Sequence, residues 1–175
     1  MRRTEPIRVL SSLLFVGMLS LGLGASAAEL REPEMQPLPL ASNEAANRAL
    51  VEEAFSKWGS GTGGPYDLLD DSVVWTIVGK SDASRAYPSR DAFMSEVIQP
   101  FNARMSRGLK PTIRQITTDG DKVVIFFDAR GVAKDGVPYE NTYAWFWEMQ
   151  NGRVVRSYAF YDSVTFNDLW RRVSP

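Results

Sequence analysis

The segment Asp119–Asp162 decides the fold, and it reads DGDKVVIFFDARGVAKDGVPYENTYAWFWEMQNGRVVRSYAFYD. It contains three tight-turn dipeptides at an even spacing of sixteen residues: Asp119-Gly120, Asp135-Gly136 and Asn151-Gly152. Asp-Gly and Asn-Gly are the strongest short hairpin signals, because the turn needs residues that adopt positive φ. The dipeptides separate strand-like runs and predict an antiparallel meander of four strands: Lys110–Thr118, Lys122–Ala133, Pro138–Gln150 and Arg153–Asp162.

The length of these strands predicts a curved sheet. A flat strand of about twelve residues would span roughly 40 Å, which exceeds the usual strand length in globular proteins. Strands of this length coil or bend at bulges. A bent sheet has a concave side, and a concave side can hold a ligand.

Helical patterns come before the meander. Ser42, Pro65 and Ser89 mark the starts of three predicted helices, and the strand Val73–Val78 separates the second helix from the third. The range Phe166–Arg172 predicts a short closing helix. Strands grouped after helices indicate an α+β fold, in which a curved antiparallel sheet packs on three N-terminal helices.

Residues 1–28 have the pattern of a secretory signal peptide. They contain a basic start, the apolar run Val9–Leu23 and an A-x-A cleavage pattern, Ala25-Ser26-Ala27. The alternative, a membrane anchor, is disfavoured because a membrane span needs about 20 apolar residues. We therefore expect a periplasmic or secreted protein with no stable membrane anchor after cleavage. Residues 29–41 then form a Pro-rich extended arm, and residues 42–175 form the domain.

Composition excludes several classes of site. The chain has no Cys and no His, which excludes disulfides, thiolate nucleophiles, Ser-His-Asp triads and histidine zinc sites. It also lacks the glycine-rich nucleotide-binding motifs and the spacing of a calcium loop, so we predict neither a metal nor a cofactor. The net charge is −1, and it becomes −3 when the leader's three Arg and one Glu are removed. No basic run remains, so a nucleic-acid partner is not predicted.

The turns also predict which side chains face each other. If each turn is a two-residue loop, Asn141 lies opposite both Arg130 and Asp162, and Asp128 lies opposite Tyr143. Cross-strand partners share one face of the sheet. The same pairing places an aromatic belt of four residues on that face: Phe126, Trp145, Trp147 and Tyr158. The opposite face is also apolar in mid-strand, which predicts a homodimer through one face of the sheet.

The cluster of two carboxylates, an arginine, an asparagine and a tyrosine is the chemical signal. Two acids on an apolar-walled face can hold different pKa values. We expect Asp162 to act as general base, Asp128 as acid and Arg130 to tune both, with Asn141 and Tyr143 orienting a substrate oxygen. The other predicted substrate-binding residues are aromatic: Trp75, Trp145 and Tyr158. Two alternatives stay open, since the charges can form a surface lattice on an exposed side and Trp75 can be a core residue.

Several motifs resemble the SnoaL-like branch of the nuclear transport factor 2-like superfamily. They are Asn141-Thr142-Tyr143, the turn Asn151–Val155, the run Ala159-Phe160-Tyr161-Asp162, and the earlier segments Trp75–Gly79 and Ser89–Phe93. The resemblance covers residues 43–172 and implies a cone-shaped α+β fold that encloses a pocket.

Limonene-epoxide-hydrolase-like members of this group use two aspartates bridged by an arginine. The resemblance matches Asp162 to the later aspartate and Asp128, approximately, to the earlier one. Phe126 stands where the family has its arginine, and Arg130 is the nearest substitute. The family's first-strand tyrosine and asparagine are not matched, because Trp75 stands near there.

The sequence thus leaves two functional hypotheses. The first is an exported small-molecule pocket protein that acts as an acid–base isomerase, cyclase or hydrolase on a small hydrophobic substrate. The second is a non-catalytic module that binds or senses an apolar ligand.

Overall fold

The computed structural model describes residues 40–175, so the expected signal peptide and most of the Pro-rich arm lie outside the described residues. The helices are α1 (Leu40–Ser60), α2 (Arg90–Phe93), α3 (Gln99–Asn102) and α4 (Ser163–Arg172). The strands are β1 (Leu69–Ile77), β2 (Ala86–Tyr87), β3 (Met105–Asp119), β4 (Lys122–Ala133), β5 (Pro138–Gln150) and β6 (Arg153–Tyr161). Within the described range, no helix is long and apolar enough to span a membrane.

The six strands form one sheet in the order β2-β1-β6-β5-β4-β3. The predicted meander is present, because β3, β4, β5 and β6 pair with one another antiparallel in chain order. The expectation of a wholly antiparallel sheet is wrong, since β1 pairs with β6 in parallel. Parallel neighbours need a long connection, and here the helices and the rest of the meander supply it. β3 is an edge strand whose pairing with β4 is interrupted by three register shifts.

The helices differ from the expected set. α1 begins at Leu40, before the expected start at Ser42 and inside the range expected to be an extended arm. The expected second helix is a single 3₁₀ turn, Pro65–Leu68. The Ser89 side chain accepts a hydrogen bond from the backbone N–H of Ala92 and so caps α2, as predicted. α2 and α3 are joined by a π-helical turn, Met94–Ile98, which lies directly before the α3 residue Pro100. Proline supplies no backbone N–H, so the regular α-helical hydrogen-bond pattern is interrupted there.

The predicted strand register is wrong by one residue at both hairpins. The β4–β5 turn holds three residues instead of two, because the Ala133 N–H donates to the Val137 carbonyl. Asp128 therefore lies opposite Thr142 and not opposite Tyr143. A register shift between Glu148 and Met149 likewise moves the β5–β6 pairing by one residue from the predicted register.

The shift divides the residues that were expected to share one face. The inner face packs against the helices and carries buried aromatic side chains: Phe127, Tyr143, Trp145 and Trp147. The outer face carries Asp128, Arg130 and a group of exposed aromatics that we call the outer aromatic face: Phe126, Phe146, Tyr158 and Phe160. Because side chains alternate along a strand, a one-residue slip exchanges the two faces.

Candidate functional site

An aromatic cavity of about 50 Å³ lies between the inner face and the helices. Every helical region and three strands of the meander contribute to its wall, together with β1. Fourteen side chains line it: Trp58, Tyr66, Trp75, Ile77, Phe93, Val97, Ile98, Phe101, Leu109, Tyr143, Trp145, Ala159, Tyr161 and Phe166. None of these fourteen is charged, so the cavity is an apolar environment whose polar groups are tyrosine hydroxyls and indole N–H groups.

Aromatic rings hold the wall in a defined shape. Trp75 stacks on Phe93 with ring centroids 4.3 Å apart, and it meets Trp145 edge to face at 5.2 Å. Trp58 of α1 stacks on Trp145 with ring centroids 6.2 Å apart. Aromatic pairs in such geometries contribute about 0.5–1.5 kcal/mol each beyond the burial of their surface. The ring network therefore fixes β1, β5, α1 and α2 against one another around the cavity.

Three tyrosines supply hydroxyl groups to the wall. Burial raises the pKa of Tyr66, Tyr143 and Tyr161 above the usual value of about 10, so their hydroxyls stay protonated at physiological pH. The Tyr161 hydroxyl lies 2.8 Å from the Ser81 hydroxyl in the β1–β2 loop. Trp75 is 1% exposed, and within residues 40–175 its indole Nε1 has no hydrogen-bond partner.

A hydrogen-bond network connects this cavity to the start of α4. Asn141, which is 5% exposed, donates through Nδ2 to the Asp162 carbonyl and to the Tyr139 hydroxyl, each at 3.0 Å. Its Oδ1 accepts from the backbone N–H groups of Asp162 at 3.0 Å and Thr142 at 2.8 Å. The Tyr139 and Tyr143 hydroxyl oxygens are 3.2 Å apart. Asn141 is thus a buried polar junction between the β5–α4 region and the cavity wall.

The predicted catalytic residues line a different depression, a polar groove of about 290 Å³. Its wall contains Arg114, Asp128, Ala129, Arg130, Glu140, Asn141, Thr142 and Asp162. The structure therefore brings Asp128, Arg130, Asn141 and Asp162 together, although not in the expected strand register. Tyr143, Trp145 and Trp75 lie in the aromatic cavity instead, and Tyr158 lies on the outer face.

The hydrogen bonds of Asp128 come from Thr142 and Arg114, and the expected Arg130 acts on its pKa only as a nearby charge that lowers it. The Thr142 hydroxyl donates to it at 2.7 Å, and Arg114 Nε donates at 2.7 Å. The Thr142 hydrogen bond is the main cause that lowers the pKa of Asp128, and Arg114 adds to it. Arg130 instead forms an exposed pair with Glu140 at 3.5 Å.

Asp162 is the N-cap of α4. Its carboxylate accepts from the Thr165 hydroxyl at 2.7 Å and from the backbone N–H of Val164 at 2.8 Å. These hydrogen bonds lower the pKa of Asp162, with the Thr165 hydroxyl as the main cause. Lowered pKa values keep both carboxylates ionised, which is the form of a base and not of a proton donor. No group of three or more acidic side chains in residues 40–175 is arranged to ligate a metal ion.

The family model of the SnoaL-like domain matches residues 51–157. The chain belongs to the SnoaL-like family. Its fold, a mixed six-stranded sheet with packed helices, is that of the nuclear transport factor 2-like superfamily. A comparison with curated proteins finds no match.

Solved structures share this SnoaL-like fold at low sequence identity. PrhC from Penicillium brasilianum is 18% identical with a TM-score of 0.62, and the match covers 74% of this chain and 89% of PrhC. Bal32a, from a soil-derived mobile gene cassette, is 18% identical with a TM-score of 0.61, covering 74% of this chain and 99% of Bal32a. A putative SnoaL-like polyketide cyclase from Jannaschia sp. is 17% identical with a TM-score of 0.55, covering 73% and 92% of the two chains.

Sequence reasoning missed three residues of this SnoaL-like site. Tyr161 falls on the face opposite Tyr143 in the predicted register, whereas the structure pairs the two residues. Tyr66 lies in the 3₁₀ turn, where no periodicity indicates which way a side chain points. Arg114 was missed because β3 was not paired with β4, although Thr112 of β3 lies directly opposite Asp128. Pairing β3 with β4 through a two-residue loop would still have placed Arg114 opposite Phe127 on the inner face. The register shift between Ile113 and Gln115 puts Arg114 on the face of Asp128.

Proposed function

We propose that this SnoaL-like domain binds a small, uncharged, apolar molecule in the aromatic cavity. The observation that carries the proposal is the wall itself, in which aromatic and aliphatic side chains surround the cavity and none of the lining residues is charged. Burial of apolar ligand surface contributes roughly 25 cal/mol per Å². An ionised ligand is disfavoured, because a buried charge without a partner is costly.

The size of the cavity sets a condition on the ligand. Ligand pockets usually measure about 300–1,000 Å³, whereas this cavity measures about 50 Å³. A ligand larger than a few heavy atoms must therefore displace wall side chains when it binds. We expect small aromatic compounds to bind faster than multi-ring compounds.

Intrinsic fluorescence gives a direct test, because three of the five tryptophans line the cavity: Trp58, Trp75 and Trp145. A panel of uncharged aromatic compounds should include members that change this fluorescence saturably and raise the melting temperature. Ala159→Leu fills the cavity and should abolish the effect, with near-ultraviolet circular dichroism checking the fold. Phe160→Leu alters the neighbouring, outward-facing residue and is the matched control. The proposal fails if no compound binds, or if Ala159→Leu binds as well as the control.

The second candidate function is acid–base turnover. The observation that favours it is the polar groove, whose wall contains four of the predicted site residues: Asp128, Arg130, Asn141 and Asp162. Two structural neighbours, named as a putative SnoaL-like polyketide cyclase and a putative isomerase, have names that agree with such chemistry. Mass spectrometry of panel compounds incubated with the protein would detect turnover. Asp162→Asn should then abolish it while keeping the fold, because asparagine is also a good N-cap. Full turnover by the folded variant would remove Asp162 from the mechanism.

We also propose that the outer aromatic face pairs with a second copy of the chain. Its four rings are 37–43% exposed, and Phe146 and Phe160 contact each other at 5.6 Å. Charged residues on the same face form pairs of opposite sign, Arg114–Asp128 and Arg156–Glu148. A face with balanced charges can meet an identical face about a two-fold axis without net repulsion.

Native mass spectrometry tests this association. We expect a dimer for the wild type and a monomer for the double variant Phe146→Ser/Phe160→Ser. Val164→Ser removes an exposed apolar residue from α4, outside this face, and should remain a dimer. A wild-type protein that is monomeric at micromolar concentration contradicts the proposal.

A further inference from the structure

The orientation of the Asn141 side-chain amide follows from its neighbours. A backbone N–H can only donate and a backbone carbonyl can only accept. Asn141 Oδ1 must therefore face the N–H groups of Asp162 and Thr142, and Nδ2 must face the Asp162 carbonyl. Nδ2 then has its second hydrogen available for the Tyr139 hydroxyl oxygen, 3.0 Å away. The direction of this hydrogen bond is fixed, with Tyr139 as acceptor.

This direction determines the next hydrogen bond. Tyr139 is 2% exposed and does not line the cavity, and its hydroxyl proton has one acceptor within the described part of the chain, the Tyr143 oxygen at 3.2 Å. If Tyr143 were the donor instead, the Tyr139 proton would be buried without a partner, which is unfavourable. Tyr139 therefore donates to Tyr143. The Tyr143 proton is then left free on a residue that lines the cavity.

Besides the Tyr66 and Tyr161 hydroxyls, the cavity wall thus presents two further donors. One is the Tyr143 hydroxyl, which stays protonated because burial raises its pKa. The other is the Trp75 indole N–H, which is buried and has no partner among the described residues. Buried donors are normally satisfied, so a donor without a partner in a cavity wall is a site where a ligand acceptor gains a hydrogen bond.

We infer that the cavity selects uncharged aromatic ligands that carry a hydrogen-bond acceptor such as a ketone oxygen, with Tyr143 as its donor and Asn141 and Tyr139 as positioning residues. This inference rests on the proposed binding function and specifies its ligand class. Trp75 is available as the second donor to the same oxygen or to a second one. A ligand acceptor would complete the chain of donation from Asn141 through Tyr139 to Tyr143.

Acetophenone and α-methylstyrene test the inference, because they have the same planar shape and differ in a C=O against a C=CH₂ group. We expect wild-type protein to bind acetophenone roughly 3- to 10-fold more tightly, the range that one neutral hydrogen bond gives. Tyr143→Phe should reduce this ratio to near one through loss of acetophenone affinity, with little change for α-methylstyrene. Tyr87→Phe is the matched control, since its buried hydroxyl donates to the Ala83 carbonyl away from the cavity, and it should keep the ratio.

The outcomes distinguish a failure of the acceptor inference from a failure of the proposed binding function. Equal wild-type affinities for the two probes overturn the acceptor inference and leave the binding function in place. Binding of neither probe overturns both. A ratio that survives Tyr143→Phe also overturns the assignment of the donor. If Tyr143→Phe does not fold, the infrared carbonyl stretch of acetophenone bound to wild-type protein tests the acceptor inference. A hydrogen bond to the ketone lowers this frequency relative to acetophenone in hexane. An unchanged frequency refutes the inference.

Discussion

Replacement of Asn141 by alanine tests the buried polar junction beside the cavity. The substitution removes four hydrogen bonds, to the Asp162 N–H and carbonyl, the Thr142 N–H and the Tyr139 hydroxyl. A typical hydrogen bond contributes about 1 kcal/mol net, and a buried group left without a partner costs about 1–3 kcal/mol. Some of the freed backbone groups will find water near the polar groove. We therefore expect the free energy of unfolding to fall by about 3 kcal/mol.

Urea denaturation followed by circular dichroism and tryptophan fluorescence measures this change. The dependence of unfolding free energy on urea should be unaltered, because the same surface is exposed. Asn167→Ala is the matched control, since the Asn167 side chain makes a single exposed hydrogen bond, to the Asp82 N–H at 2.8 Å. That control should lose less than about 1 kcal/mol. If Asn141→Ala loses no more than Asn167→Ala, the four hydrogen bonds do not stabilise the fold and the assigned direction of donation loses its basis.

Three further predictions concern other parts of the chain. The pKa of Asp162 is lowered on folding, so the carboxylate stabilises the fold above its unfolded pKa of about 3.9, and that contribution is lost as the pH falls through the lower folded value. Urea titrations at several pH values should therefore show that the difference in unfolding free energy between wild type and Asp162→Asn shrinks from about pH 5 to about pH 2. A difference that stays constant over this range would contradict the prediction. The Arg104 guanidinium lies 4.0 Å from the centre of the Trp170 ring and donates to the Trp170 carbonyl. Arg104→Met should therefore lower the free energy of unfolding by about 1–3 kcal/mol in urea denaturation. An Arg104→Met variant as stable as the wild type would show that α4 is held by apolar packing alone. The export hypothesis predicts a mature protein that starts near Ala28, which intact mass of material from a bacterial periplasm or medium checks; a retained Met1 would refute it.

The sequence predicted the boundaries of β4, β5 and β6 well, but β3 begins at Met105 and not at the expected Lys110, and the register was predicted poorly. Lys122–Ala133 and Pro138–Gln150 coincide with β4 and β5, because Gly120, Gly136 and Gly152 all adopt the positive φ that the turn signals require. The register depends on whether a loop holds two residues or three, and Asp-Gly is compatible with both. The bulge near Met149 depends on packing, which no local pattern encodes.

The candidate site was predictable in composition but not in arrangement. Asp128 and Asp162 do line one groove, since both lie at the same end of neighbouring strand pairs whatever the register. The one-residue shift nevertheless separated them from Tyr143 and Trp145, which face the interior. The sequence placed Asn141 beside Asp162, but it did not predict that the Asn141 side chain bonds to backbone groups, because those groups meet only after β5 and the start of α4 come together.

The position of β3 at the sheet edge has a consequence for solubility. An edge strand exposes unpaired backbone groups, and a long, regular one invites other chains to add on and polymerise. β3 has fifteen residues, but its three register shifts break the straight line of groups that another strand would need. Pro111 removes one backbone donor, and Lys110 adds a charge beside it. These features oppose edge-to-edge aggregation, so restoring a backbone donor by Pro111→Val should favour fibre formation at high concentration.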